Sequence, residues 1–257
     1  MAKRINPSDP TPAYLQIAGD LRRAISDKEL EDGDQLPSLR SLMADYGAAS
    51  GTVRQALDQL QNEGLIIARQ GQGVFVRMPR RLERRGTKRH LRSARPSATA
   101  PLEAEAQAQG FVRGQQLLEV ATVPAPESIA QRLGIEPGTQ VLVRRHLLTL
   151  DEEPAQLADS YFHVAQVEGS RIARNEKIPG GVHAELASVL GTPLTHASEE
   201  LIARMPTPGE AIELRLPRGT PVVELLRTIY ASDDPVEATR FLFDGSRHTF
   251  TYDVPLD

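Results

Sequence analysis

Apolar positions recur at helical spacing three times in the first sixty-odd residues, and then the pattern shortens. Tyr14, Ile17, Leu21 and Ile25, with Leu15 beside them, form one stripe and predict a helix over 12–26. Pro12 suits its first turn. Gly33-Asp34 marks a turn. A second helix opens at Ser38, whose hydroxyl can accept from an unpaired backbone N–H. It carries Leu39, Leu42, Met43 and Tyr46 inward and ends at Gly47, where glycine tolerates left-handed backbone. A third, over 50–63, turns Val53, Ala56, Leu57 and Leu60 inward and stops at Gly64. Residues 65–69 and 74–77 are β-rich runs on either side of Gln70-Gly71-Gln72-Gly73, which reads as a hairpin. Two short helices across a tight turn present the second to a major groove, and a hairpin that follows them becomes a wing.

The C-terminal part repeats itself. Shifted by 81 residues, 128–162 falls on 209–243 without a gap, matching Ala130/Ala211, Leu133/Leu214, Gly138/Gly219, Thr139/Thr220, Val141/Val222, Pro154/Pro235 and Phe162/Phe243. Each copy reads as short helix, Gly-Thr turn, strand, acidic-Pro turn, strand. The predicted strands are 141–150 with 155–162, and 222–231 with 236–244. Two hairpins of one design predict a pseudo-symmetric antiparallel sheet with helices on it, so the chain is α+β. Leu142, Arg144, His146 and Leu148 alternate onto one face, with Val223, Leu225, Arg227 and Ile229 as their equivalents. Polar groups on such a face are candidate anchors for a ligand. Arg144 and Arg227 could equally pair with acids such as Asp159 or Glu237.

Charge divides the chain further. Of 30 Lys+Arg and 34 Asp+Glu, residues 1–95 hold 17 and 11, leaving 13 and 23 for 96–257. A basic head on an acidic body suggests a polyanionic partner for the head. Residues 78–101 mix Arg, Pro, Ser and Ala without apolar periodicity. The expected division is therefore a DNA-binding domain over 1–77, a basic linker over 78–110 and a second domain over 111–257. No cysteine is present, which excludes disulfides and thiolate metal sites. The six histidines show neither i, i+4 spacing nor an HExxH motif, so no metal or cofactor is expected. No apolar run reaches the ~18 residues a membrane span needs, and the N-terminus lacks the apolar core of a signal peptide.

Binding a duplex needs cations at phosphates and polar side chains at base edges. Arg40 opens the second helix, Arg54 lies early in the third, and Arg69 borders the wing. Ser50, Thr52 and Gln55 lie in the first turns of the third helix, the part that reaches bases. Gly71 and Gly73 allow the wing close approach to a sugar-phosphate wall.

Residues 12–76 resemble the DNA-binding domain of GntR-family bacterial regulators. The resemblance rests on Gly33-Asp34-Gln35-Leu36-Pro37-Ser38 with Arg40, Thr52-Val53-Arg54-Gln55-Ala56-Leu57, Asn62-Glu63-Gly64-Leu65-Ile66 and Gln70-Gly71-Gln72-Gly73-Val74-Phe75-Val76. It implies a cytoplasmic homodimer on a palindromic double-stranded DNA operator, with Arg40, Arg54 and Gly73 in the family's contact positions. Leu39 stands where the family usually has an acid, and Ala49-Ser50 where it usually has Ser-Arg.

Residues 112–252 resemble the UTRA effector domain of the family's HutC branch, a chorismate-lyase-like sensor. The paired patterns, Arg204-Met205-Pro206 and a final strand near 249–252 carry this second likeness. It implies a repressor whose operator affinity follows a small-molecule effector, and it adds Ser160, Tyr161 and Glu237 to Arg144, His146 and Arg227 as effector contacts. Sugar-phosphate-sensing relatives carry Arg-x-Arg where His146 and Leu148 stand, which argues against a phosphorylated sugar. A ligand-independent repressor of plasmid transfer functions is the alternative. A lyase-like enzyme is opposed by the lack of any nucleophile–base–orienter set.

Overall fold

The structure, a computed structural model, describes residues 5–86 and 101–254. The chain forms two compact units, Met1–Arg80 with Leu216–Thr220, and Arg81–Arg215 with Pro221–Asp257.

The first unit holds α1 (Ala13–Ser26), α2 (Leu39–Tyr46), α3 (Ser50–Asn62), β1 (Ile66–Arg69) and β2 (Gly73–Val76). The expected caps form. Ser41 N–H donates to Ser38 Oγ at 3.1 Å, and Gly47 ends α2 at φ 62°. The apolar stripes meet in one core that includes Ile17, Leu21, Ile25, Leu42, Val53, Leu60, Ile66 and Val76. Tyr46 donates its hydroxyl to Asp20 at 2.7 Å, tying α2 to α1. Burial, then the Asp20 carboxylate, raises the pKa of that phenol. β1 and β2 pair antiparallel, Ile66 against Val76 and Arg69 against Gly73. The segment around Gly33-Asp34 does more than turn. Gly33 N–H donates to Val76 O (3.0 Å), Val76 N–H to Asp34 O (2.8 Å) and Leu36 N–H to Val74 O (2.8 Å), so it runs beside β2 and bridges it at Gln35–Phe75.

The second unit is built on a six-stranded antiparallel sheet, in the order β4 (Arg113–Pro124), β5 (Gln140–Leu150), β6 (Glu153–His163), β9 (Asp234–Asp244), β8 (Val222–Ala231), β7 (His196–Arg204). The sequence repeat is a structural repeat. Leu142 pairs with Phe162 and, 81 residues on, Val223 with Phe243. The register slips between Leu148 and Thr149, and again between Ile229 and Tyr230. Val123 faces Val141 as Arg204 faces Val222, so the repeat extends to the outer strands. It also relates the short helices α5 (Glu127–Leu133) and α8 (Pro208–Glu213). Asp159 pairs with its own equivalent, Arg240, which places the pseudo-two-fold axis between β6 and β9.

One face of the sheet packs α5 through Ile129, Ala130 and Leu133 against Val141, Val143, Tyr161 and Ala238. The other packs α6 (Val164–Val167), the turn Arg171–Ala173 and α7 (Val182–Leu190) against Leu142, Phe162, Ile229 and Val236. Further along that second face lies a two-stranded parallel ribbon of β3 (Leu82–Arg85) and β10 (His248–Thr251). Its buried Arg84 donates to Gln156 Oε1 at 2.5 Å and sits 4.5 Å over the Phe243 ring.

The interval 78–110, expected to be linker, thus contributes β3 and also α4 (Pro101–Ala108), whose Ala106 packs with Leu82, Phe111, Leu150 and Ala155. A charged four-residue strand has no apolar periodicity to announce it. Residues 87–100 of that interval lie outside the described residues. No described helix is long and apolar enough to cross a membrane. No group of metal-ligating side chains occurs among the described residues.

Candidate functional site

Each unit presents one candidate face. On α3, Gly51, Arg54, Gln55 and Asp58 are exposed, while Val53, Ala56 and Leu60 are buried. This is the division expected of a helix with one face on a core and one available. Ser50 and Thr52 are half-buried in its first turn, and Arg40 is exposed near the start of α2. Arg69 ends β1 with its guanidinium 4.7 Å over the Phe75 ring, which holds it on the wing.

Among the described residues, neither Arg40 nor Arg54 makes an ion pair. On α1, by contrast, Arg22 is bound by Glu63 at 2.6 Å and Arg23 lies 3.6 Å from Asp20. Leu39, where the family resemblance led to an acid, packs against the core, which suits its apolar side chain.

The wing turn needs both glycines. Gly71 has φ 72° and Gly73 φ 118°. A Cβ on Gly73 would stand 2.6 Å from Gln35 Nε2, which donates to Gln72 O at 2.8 Å. The Gln35 clamp escaped the sequence reading, because nothing local links residue 35 to the hairpin.

In the second unit, strand register places the candidate effector residues. Val120, Arg144, Ser160, Thr239, Arg227 and Glu199 are successive neighbours in a row across all six strands. The adjacent row on the same face contains His146, Ala158, Phe241 and Leu225. Glu237, opposite Phe162 and Ile229, lies on that face too. Tyr161 does not. Neighbouring residues of a strand point to opposite faces, and Tyr161 packs in the α5 core. The expected pair Ser160–Tyr161 is therefore split, and only Ser160 joins the row.

The polar groups of the row are satisfied in three separate sets. Arg144 donates to the carbonyls of Ile172 (2.7 Å), Arg174 (2.7 Å) and Glu176 (2.9 Å), so it clamps the loop before α7 rather than pairing with Asp159. Arg145 takes Asp159, at 3.0 Å. Arg227 is held by Glu199, with Nε–Oε1 at 2.7 Å, and stacks 4.7 Å over Phe241. Ser160 and Thr239 hydroxyls are 2.8 Å apart, and Thr239 donates to Glu237 Oε1 at 2.6 Å.

His183, from α7, brings Nε2 to 3.0 Å from Glu237 Oε2. Burial opposes ionisation of Glu237, yet His183, Thr239 and Arg227 hold its carboxyl below its ordinary pKa. Burial, with Arg144 and Arg113 near, lowers the His146 ring to about 4, so it is neutral at pH 7.

Glu199, Thr239 and His183 were missed in the sequence. Extending the 81-residue shift outward would have revealed β7 and with it Glu199, and pairing the two repeats would have given Thr239. Nothing flagged His183.

An exposed recognition helix with a wing, joined to an antiparallel sheet with a polar strip, defines a two-domain DNA-binding transcriptional regulator. Residues 13–76 match the model for bacterial regulatory proteins of the gntR family, and 108–249 match the UTRA domain. The UTRA match alone spans more than half the chain, and the protein belongs to the GntR family, among members that carry a UTRA domain.

It is similar to an uncharacterised HTH-type transcriptional regulator of Streptomyces coelicolor (30% identity over 248 residues, 94% of this chain and 92% of that protein). It is also similar to the HTH-type transcriptional repressor NagR of Bacillus subtilis (26% over 249 residues, 96% and 97%). Among solved structures, PhnF from Mycobacterium smegmatis aligns with TM-score 0.57 at 26% identity, over 94% of this chain and 100% of that one.

Proposed function

We propose that this chain is an effector-responsive repressor of the HutC branch, acting as a cytoplasmic homodimer on a palindromic operator and catalysing no reaction. Arg40, Arg54 and Arg69 meet phosphates or base edges. Ser50, Thr52 and Gln55 read bases from the start of α3, and the wing closes on the sugar-phosphate wall through Gly71 and Gly73. The observation that carries this reading is that Arg40 and Arg54 are exposed and, among the described residues, without acidic partners on the α2–α3 face, while Arg22 is neutralised on α1. Unpaired cations on a preformed surface are what a polyanion recruits. Relatives named as repressors, NagR of Bacillus subtilis and PhnF of Mycolicibacterium smegmatis, support the sign of regulation.

The effector occupies the strip of Arg144, His146, Ser160, Arg227 and Glu237. Its binding shifts the dimer between arrangements that do and do not match two half-sites, in proportion to its differential affinity for them.

The test is operator binding, measured by fluorescence anisotropy on DNA recovered by genome-wide footprinting. Arg40→Ala and Arg54→Ala should each weaken binding and, where the contact is to a phosphate, lower the slope of log K against log salt by about 1. Folded, dimeric variants that bind as tightly as the parent at moderate salt would refute the assignment.

A further inference from the structure

We propose that the turn Leu216–Thr220 is the contact through which the second unit's sheet acts on α3, with Gly219 as its positioning residue. The proposal rests on α3 being the recognition helix, and names what controls that helix.

The turn joins α8 to β8, the strand that carries Arg227, yet it belongs to the first compact unit with the three helices and the wing. Its backbone lies against the last turn of α3. A Cβ on Gly219 would collide with Asn62 O and stand 2.7 Å from Gln61 O. These are carbonyls of a helix end, where the backbone lacks helical partners. Only a residue without a side chain lets a second backbone come so near. Thr220 is 1% exposed, and its hydroxyl accepts from Arg77 Nη1 at 3.4 Å. Arg77 N–H in turn donates to Leu65 O at 2.8 Å, just past the end of α3. The turn therefore touches both the last residues of the helix and the chain that leaves the wing.

The repeat supplies an internal comparison. Gly138-Thr139 is the equivalent turn, 81 residues earlier. Gly138 has φ 84° and Gly219 φ 78°, so the two backbones make the same demand. No described atom lies within 4 Å of a Cβ on Gly138, and Thr139 is exposed where Thr220 is buried. What distinguishes the second copy is the contact with α3 and not the turn itself.

The turn has little slack to absorb a displacement. Leu214 before it and Val222 after it are buried. Gly245 N–H donates to Pro221 O at 3.0 Å, and Val222 is paired with both Arg204 and Asp244. A shift of α8 or β8 is thus handed to Gly219. Helix α3 has 13 residues, and at a rise of 1.5 Å per residue it is about 20 Å long. Its base-reading side chains, Ser50 to Gln55, stand at the end opposite Asn62. A push on Asn62 is carried there by a rigid helix, which changes how α3 meets a duplex.

Hydrogen exchange and operator anisotropy on the full-length protein test this. Gly219→Ala should speed exchange of the amides of residues 61–65 about fivefold or more and weaken operator binding by a similar factor. Gly138→Ala carries the same backbone cost and should leave both within about twofold. Thr220→Val removes the acceptor for Arg77 without touching the backbone. It should act in the same direction as Gly219→Ala, more weakly, and it carries the test should Gly219→Ala fail to fold. Glu210→Gln, which loosens α8, should also speed exchange at 61–65, and should add nothing once Gly219 is alanine. Equal effects from the two glycine variants overturn the positioning role, and additivity with Glu210→Gln overturns the transmission. A parent protein that binds no operator sinks the DNA-binding reading, while the exchange contrast between the two glycines still decides this one.

Discussion

Replacing Gly73 with alanine tests the wing more sharply than removing a charge. The backbone there sits at φ 118°, a region that side chains rarely enter. Forcing a Cβ into such a conformation costs about 1–3 kcal/mol. The new methyl would also stand 2.6 Å from Gln35 Nε2. That amide ends a flexible side chain and can swing away, so the clash itself is cheap. What is lost is its 2.8 Å bond to Gln72 O, worth about 0.5–1.5 kcal/mol. The sum for Gly73→Ala is about 2–4 kcal/mol, concentrated in the wing.

Gln35→Ala alone should cost about 1 kcal/mol. The double variant should then be about 1 kcal/mol less destabilised than the sum of the singles, because the same bond cannot be lost twice. Urea denaturation of the full-length chain, followed by circular dichroism, gives the cycle. Operator anisotropy reports whether the wing still reaches DNA. Additive effects, or a Gly73→Ala protein as stable as its parent, would refute the claim that the turn requires glycine because of its backbone and the Gln35 clamp.

Two further predictions concern the second unit. The His146 ring has its pKa lowered from 6.5 to about 4, so the unfolded chain takes up this proton first. Its neutral burial therefore costs nothing above pH 6.5 and removes up to about 3 kcal/mol of stability as the pH falls from 6.5 to 4. His146→Gln should flatten that part of the urea-stability profile, and an unchanged profile would show that the ring is freely protonated.

Helix α8 has no buried residue and is held through Glu210, which receives Arg204 at 2.7 Å and Arg240 at 2.6 Å. Hydrogen bonding by Arg204, against some burial, holds this carboxyl well below the usual range. Its contribution is present above the unfolded value of 4.5 and is lost as the pH drops through the folded one. Glu210→Gln should cost about 1–2 kcal/mol at pH 7, discounted for its partial exposure. The difference from the parent should shrink toward pH 3, and a constant difference would rule out the ionic cause.

The two halves of the second unit show why part of the site was legible. Position-by-position similarity predicted both hairpins, since each needs the same inward residues and the same turns, and even the bulges fall at equivalent positions. Period-two alternation then put Arg144, His146 and Arg227 on one face. The pairing of their charges was not legible. Arg144 went to a loop that lies some thirty residues away and Arg145 took the acid, because which carboxylate meets which guanidinium depends on register and on the loops laid over the sheet. Pseudo-equivalent places are also filled differently. α5 packs through Ile129, while Glu210 at the equivalent place in α8 is held by two arginines. The repeat therefore fixes backbone and not chemistry.

Local sequence decided what local physics can decide: three amphipathic helices with their caps, a glycine turn, two repeated hairpins, and a basic head on an acidic body. Each follows from spacing or from one residue's backbone preference. Tertiary structure decided everything that joins distant positions. It laid residues 33–36 against the wing and drew Leu82–Arg85 into a parallel ribbon with the last strand. It also brought Glu199, His183 and Glu237 to one strip. The chain cannot signal such meetings in advance, because each is set by which surfaces remain to be covered once the helices and the sheet have formed.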